Sequence, residues 1–110
     1  MSRAPTDLLY GTLDMLVLET LSWQPMHGYG VSNWIRQRSG GVLGIDDAAL
    51  YKSLHRLEEQ GLIESEWGLS ENNRRARYYR LTAAGRKRRR VESMEWRRFA
   101  EAVFRVMEPA

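Results

Sequence analysis

Residues 71–90 carry nine arginines or lysines and one glutamate, yet Tyr78, Tyr79 and Leu81 lie inside the run. A solvated basic tail has no need of those side chains. Over residues 76–81, Arg77, Tyr79 and Leu81 alternate with Ala76, Tyr78 and Arg80, the period of a strand with one buried face. A strand needs a partner, and residues 63–67 supply one across the polar stretch 68–75. The spacing predicts a hairpin, so much of the positive charge sits on ordered backbone.

Upstream, the chain reads as three helices divided at Gly and Pro. In residues 12–23, Leu13, Leu16, Val17 and Leu21 recur at helical spacing, and Met15 and Leu18 widen the apolar face. Gln24, Pro25, Met26 and His27 interrupt that pattern. A second helix is expected over residues 28–39, with Val31, Trp34 and Ile35 inward and Gly40-Gly41 at its end. Residues 42–45 are long enough only for a connector or a brief edge strand. The third helix starts at Asp46 or Asp47, either of which can accept orphan backbone N–H groups, and Gly61 closes it. Leu50, Leu54 and Leu57 form its inner stripe; Lys52 and His55 point away, flanked by Tyr51 and Arg56. Three helices followed by a hairpin is the winged helix-turn-helix plan. The fold class is therefore mainly α with a small β-hairpin, and Trp23, Trp34 and Trp67 fall where its core or rim should be.

A last helix runs from a Thr82 cap to about Met107, roughly 39 Å at ~1.5 Å per residue. Its first third is basic. Further on, Trp96, Phe99, Val103 and Val106 recur at 3-4-3 spacing, beside Ala100 and Met107. A projecting apolar stripe calls for a partner, most simply the same helix of a second chain. The division is a winged helix-turn-helix domain over residues 1–81 and a dimerisation helix over residues 82–110.

Net charge is only +3, but residues 74–98 hold eleven basic residues against Glu92 and Glu95, whereas the first 73 hold five against ten carboxylates. That asymmetry points to a polyanion or an acidic surface. At 43% hydrophobic and 28% charged, the 110 residues suit one soluble globular domain. The absence of cysteine removes disulfides and thiolate metal sites and fits a reducing cytoplasm. The amino terminus lacks the apolar run of a signal peptide, and no stretch approaches the roughly 20 apolar residues of a membrane span. No set of His, Asp and Glu has metal-ligand spacing. Gly28-Tyr29-Gly30 lacks the rest of a phosphate loop, and no serine sits in a nucleophile elbow. Neither enzymatic activity nor a cofactor is expected, and His27, next to a turn, reads as a hydrogen-bonded structural residue.

A helix in the major groove needs one face packed and another free for base edges and phosphates. Tyr51, Lys52, His55 and Arg56 supply that outer face. The hairpin loop and strand add Asn73, Arg74, Arg75 and Arg77, placed to follow a phosphate backbone or reach an adjacent minor groove. Double-stranded DNA is the expected partner, with an acidic protein partner and no sequence-specific DNA binding as the alternative. The basic run at 86–90 cannot share one helix face; some of it is expected to touch phosphate flanks, and the rest to be solvated or paired with Glu92 and Glu95. Trp96 reads as packing at the dimer interface, and alternatively as the stacking surface for a flat aromatic effector across the dimer axis.

Several short motifs carry a further likeness: Leu9-Tyr10-Gly11-Thr12-Leu13, His27-Gly28-Tyr29, Ala49-Leu50-Tyr51, Leu54-His55-Arg56-Leu57-Glu58, Gly61-Leu62-Ile63, Asn73-Arg74-Arg75 and Tyr78-Tyr79-Arg80-Leu81-Thr82-Ala83-Ala84-Gly85. In this order, over residues 8–90, they resemble the PadR family of bacterial transcriptional regulators. The resemblance implies a winged-helix homodimer, usually a repressor on an inverted-repeat operator, released in some members by small aromatic compounds. It gives Leu50 a core role and Tyr51 a phosphate contact. The family often has Gly-Ser/Thr-Leu-Tyr-Pro at the third helix; Ala49 and Lys52 depart from that pattern, which implies a different base preference.

Overall fold

The computed structural model describes residues 12–109; Leu9, Tyr10 and Gly11 of the amino-terminal motif lie outside them. In chain order the elements are α1 (Leu13–Leu21), β1 (Met26–His27), α2 (Gly28–Arg38), α3 (Asp47–Glu59), β2 (Ile63–Leu69), β3 (Arg75–Leu81) and α4 (Ala83–Met107). The three strands form one antiparallel sheet in the order β1-β3-β2.

The boundaries of α3 and the end of α2 have local chemical causes. Asp46 settles the choice of cap for α3: its Oδ1 accepts from the Ala49 N–H at 2.8 Å. Gly61, at φ +74°, ends that helix, with the Leu62 N–H donating to the Leu57 carbonyl and the Gly61 N–H to Glu58. Gly40 and Gly41 close α2 in the same way on Gln37 and Arg36. This six-to-one and five-to-two pattern satisfies carbonyls that a helix end leaves open.

The core follows the expected stripes. Leu13, Val17, Leu18 and Leu21 from α1 meet Val31 and Ile35 from α2, and Leu50, Leu54 and Leu57 from α3. Ile45, Leu62, Ile63, Tyr79 and Leu81 complete it, with Trp34 packed at its edge.

The structure departs from the sequence reading at three places. Met26 and His27, expected only to interrupt the helices, form a third strand paired with Tyr79 and Tyr78. Pro25 stops the helix, and burial of Met26 draws the backbone onto β3, but two residues are too few to display an alternation. The hairpin is also longer: β2 continues to Leu69 and β3 begins at Arg75. Gly68 reads as a loop residue, yet the Tyr78 ring lies over it, where a Cβ would come within 3.1 Å. Finally, Trp23 and Trp67 are 64% and 57% exposed, so neither belongs to the core.

The junction from hairpin to α4 is tightly built. The Thr82 hydroxyl caps α4 by accepting from the Gly85 N–H at 3.0 Å, and donates to the Gly61 carbonyl at 2.7 Å. Gly85 rests directly on the Leu62 carbonyl, leaving no room for a Cβ. The helix then passes α1, tied by Arg89 to Glu19 at 3.1 Å, and from residue 94 onward all its residues except Ala100 are exposed. Its projection stretches the molecule to 55 Å along one axis against 28 and 21 Å along the others.

Gly85→Ala forces that backbone contact apart. It is expected to lower unfolding stability by on the order of 2 kcal/mol, read as a lower thermal midpoint by circular dichroism.

Candidate nucleic-acid interface

Burial of Leu50, Ser53, Leu54 and Leu57 turns the opposite side of α3 outward. Ala48, Tyr51, Lys52, His55 and Glu59 form that exposed stripe, at i, i+3, i+4, i+7 and i+11. Lys52 makes no ion pair among the described residues. His55 Nε2 lies 2.5 Å from Glu59 Oε1, so these two residues of the stripe are partnered with each other. The Tyr51 phenol leans over the start of α2, where a Cβ on Gly28 would come within 2.6 Å of its oxygen. Only glycine lets the ring lie there.

Arg56 turns a different way. Its Nε donates to Asp14 Oδ2 at 2.8 Å and its terminal nitrogen to Oδ1, while the Ser53 hydroxyl donates to Oδ1 at 2.6 Å. Burial of Asp14 works against ionisation, but the hydrogen bonds from Arg56 and Ser53 outweigh it and hold the carboxyl below its ordinary pKa. The residue expected on the outer face therefore clamps α3 to α1.

The wing tip is a tight turn. The Asn73 N–H donates to the Ser70 carbonyl at 2.9 Å, and the Ser70 N–H to the Arg74 carbonyl at 2.8 Å. Asn73 sits at φ +59°, the left-handed region that asparagine tolerates better than most residues. Its backbone role was not foreseen. Beside it, Arg74 and Arg75 have no acidic partner among the described residues. Arg77 differs: its Nε donates to Ser65 Oγ at 2.7 Å, and Ser65 in turn donates to Glu58 Oε2 at 2.6 Å.

The wing tip is joined to the helices through His27. The Gly30 N–H donates to His27 Nδ1 at 3.0 Å, which leaves the ring proton on Nε2, 3.5 Å from Glu71 Oε2. The expected structural role of His27 is thus borne out, as cap of α2 and brace of the turn. Between these parts lies an open cleft of about 480 Å³. Tyr51, Trp67, Arg74, Arg75 and Arg77 all face into it, with Gly28 at its floor. Of the eight residues expected to meet DNA, four therefore line one concavity. Lys52 and His55 stand beside it on α3, Asn73 shapes the turn, and Arg56 is withdrawn to Asp14.

The basic run at 86–90 lies elsewhere. It begins where Gly85 meets Leu62, at the end of the strands away from the wing tip, about 20 Å off at ~3.3 Å per residue. Arg88 pairs with Glu92, as expected, and Arg89 with Glu19. On α4, Trp96 and Phe99 have ring centroids 5.5 Å apart, and Phe99 and Val106 are 59% and 85% exposed. Trp96 also borders a cleft of about 420 Å³ with Trp23 and Trp34, flanked by Arg38 and Arg97. No helix among the described residues is long and apolar enough to cross a membrane.

Comparison with known proteins gives the family and the fold. Residues 17–91 match the family model described as the transcriptional regulator PadR-like family. A transcriptional regulator from Clostridium thermocellum superposes with a TM-score of 0.82 at 29% identity, over 94% of this chain and 97% of that one. A PadR family transcriptional regulator from Eggerthella lenta gives a TM-score of 0.78 at 31% identity, over 96% and 89%. An uncharacterized protein from Lysinibacillus sphaericus is 29% identical over 94% of both chains.

The Asp14 clamp yields a pH signature. A carboxyl whose folded pKa lies below its unfolded value contributes stability above the unfolded value, near 4, and loses it as pH falls further. Asp14→Asn should therefore cost about 1 kcal/mol at pH 7. In denaturant titrations the gap between variant and wild type should narrow steadily below about pH 4.

Proposed function

The chain belongs to the PadR-like family of transcriptional regulators, and from that premise we propose that it is a repressor that binds an inverted-repeat operator as a homodimer. It is a DNA-binding regulator and not an enzyme. One observation supports the assignment of contacts above the rest. The outer face of α3 and the wing share a cleft in which Arg74 and Arg75 have no acidic partner among the described residues. Cations that the fold leaves uncompensated are available to phosphate.

In this reading residues 1–81 form the DNA-binding unit. Tyr51, Lys52 and His55 enter the major groove, with Arg56 at its margin, while Asn73, Arg74, Arg75 and Arg77 present the wing. Residues 82–110 join two copies through Trp96, Phe99, Val103 and Val106. Those side chains carry exposed apolar surface that a lone chain would leave in water. Two-fold pairing turns one recognition helix into two, and the operator acquires the same symmetry. A small aromatic effector seated against Trp96 releases the DNA, since Trp96 touches both the helix that dimerises and the cleft behind α1 and α2. A DNA target makes the cytoplasm its place of work.

Footprinting on the region upstream of the protein's own gene tests the operator directly: two protected half-sites related by a dyad are expected, and uniform weak protection would refute the specific-repressor reading. Arg74→Ala should weaken binding to unrelated duplexes alike and reduce the slope of log K against log salt by about one. An unaltered slope would remove Arg74 from the contact set. Trp96→Ala should shift sedimentation at micromolar concentration from dimer toward monomer, and an undiminished dimer would contradict its anchoring role.

A further inference from the structure

The inward face of the hairpin outruns the core. Ile63 with Leu81, and Ser65 with Tyr79, are cross-strand pairs at its base; Ile63, Tyr79 and Leu81 there are buried. The next pair on the same face is Trp67 with Arg77, and the last is Leu69 with Arg75. Trp67 therefore stands beyond anything the subunit can pack on it, more than half exposed, on the side of the sheet that turns toward Tyr51.

Its ring is nevertheless occupied. The Arg75 guanidinium carbon lies over the indole at 4.6 Å from the centroid, and that of Arg77 at 5.8 Å. The two arginines are held differently. Arg77 is fixed by Ser65, with Glu58 beyond it at 3.7 Å. The Arg75 guanidinium has no hydrogen bond or ion pair among the described residues, and the indole face is its one anchor. A guanidinium resting on an aromatic face keeps its in-plane N–H donors free at the edge, where an anion can meet them. The strand beneath is stiffened from the other side: Tyr78 covers Gly68 and donates its hydroxyl proton to the Leu69 carbonyl at 2.8 Å.

We propose that Trp67 is a positioning residue for DNA binding, holding Arg75 in the cleft beside Tyr51 as a pre-ordered cation for the phosphate backbone. This rests on the DNA-binding reading above and adds a residue outside that contact set. An arginine ordered in advance loses less side-chain freedom on contact, so the indole strengthens binding without touching the duplex itself.

The test is a double-mutant cycle read by fluorescence anisotropy on a labelled 30-base-pair duplex of mixed sequence, over a series of salt concentrations. Trp67→Leu should raise the dissociation constant roughly three- to five-fold, and Trp67→Tyr, which keeps an aromatic face, should recover most of the loss. In an Arg75→Ala background, Trp67→Leu should have little further effect, because the cation it holds is gone. Wild-type affinity in Trp67→Leu, or an undiminished effect of that change without Arg75, would overturn the proposal while leaving DNA binding intact. Failure of the wild-type protein to bind any duplex would instead overturn the DNA-binding reading, and this inference with it.

Discussion

A thirteen-residue helix can offer one side to a polyanion only if its other side is held, and α3 is held twice. Leu50, Leu54 and Leu57 anchor it in the apolar core. Ser53, fully buried, and Arg56 then fasten it to α1 through Asp14. The apolar stripe fixes which face points out; the polar clamp fixes the helix against rotation and sliding, because a bidentate guanidinium tolerates little of either. Tyr51 and Lys52 face outward as a consequence. The junction of Gly61, Leu62, Thr82 and Gly85 extends the same rigidity from the end of α3 into the start of α4.

Net charge says little about where this molecule is positive. Arg77, Arg80, Arg88 and Arg89 each face a carboxylate of their own chain, and Arg56 does so most completely. The cations left over on the wing, Arg74 and Arg75, sit together beside an aromatic surface, and Lys52 stands near them on α3. Exposed ion pairs contribute little to stability. Their larger effect here is spatial: with Arg77 and Arg80 paired to carboxylates of their own chain, Arg74 and Arg75 are the wing cations left without one among the described residues.

Most of the architecture was legible because it rests on periodic burial and on caps. The leucine stripes, the Thr82 cap, a cap at Asp46 or Asp47, the glycine stops and the alternation of β3 all announce themselves within a few residues. Interactions between distant parts of the chain do not. Asp14 and Arg56 are 42 positions apart, and nothing near either one marks the pair. The two-residue strand at Met26 exists only because β3 offers it an edge. Trp67 read as core or rim; its exposure follows from how far the hairpin reaches past the helices. Gly68 looked like a loop because the residue that supports it, Tyr78, lies across the sheet.

The surface that meets DNA can be mapped in a single titration of the isotopically labelled protein with a duplex, following backbone amide chemical shifts by NMR. The largest changes should fall on residues 48–55 and 70–77, with residues 86–90 nearly silent. Dominant changes at 86–90, with α3 and the wing unmoved, would contradict the assignment of the cleft as the DNA-binding face.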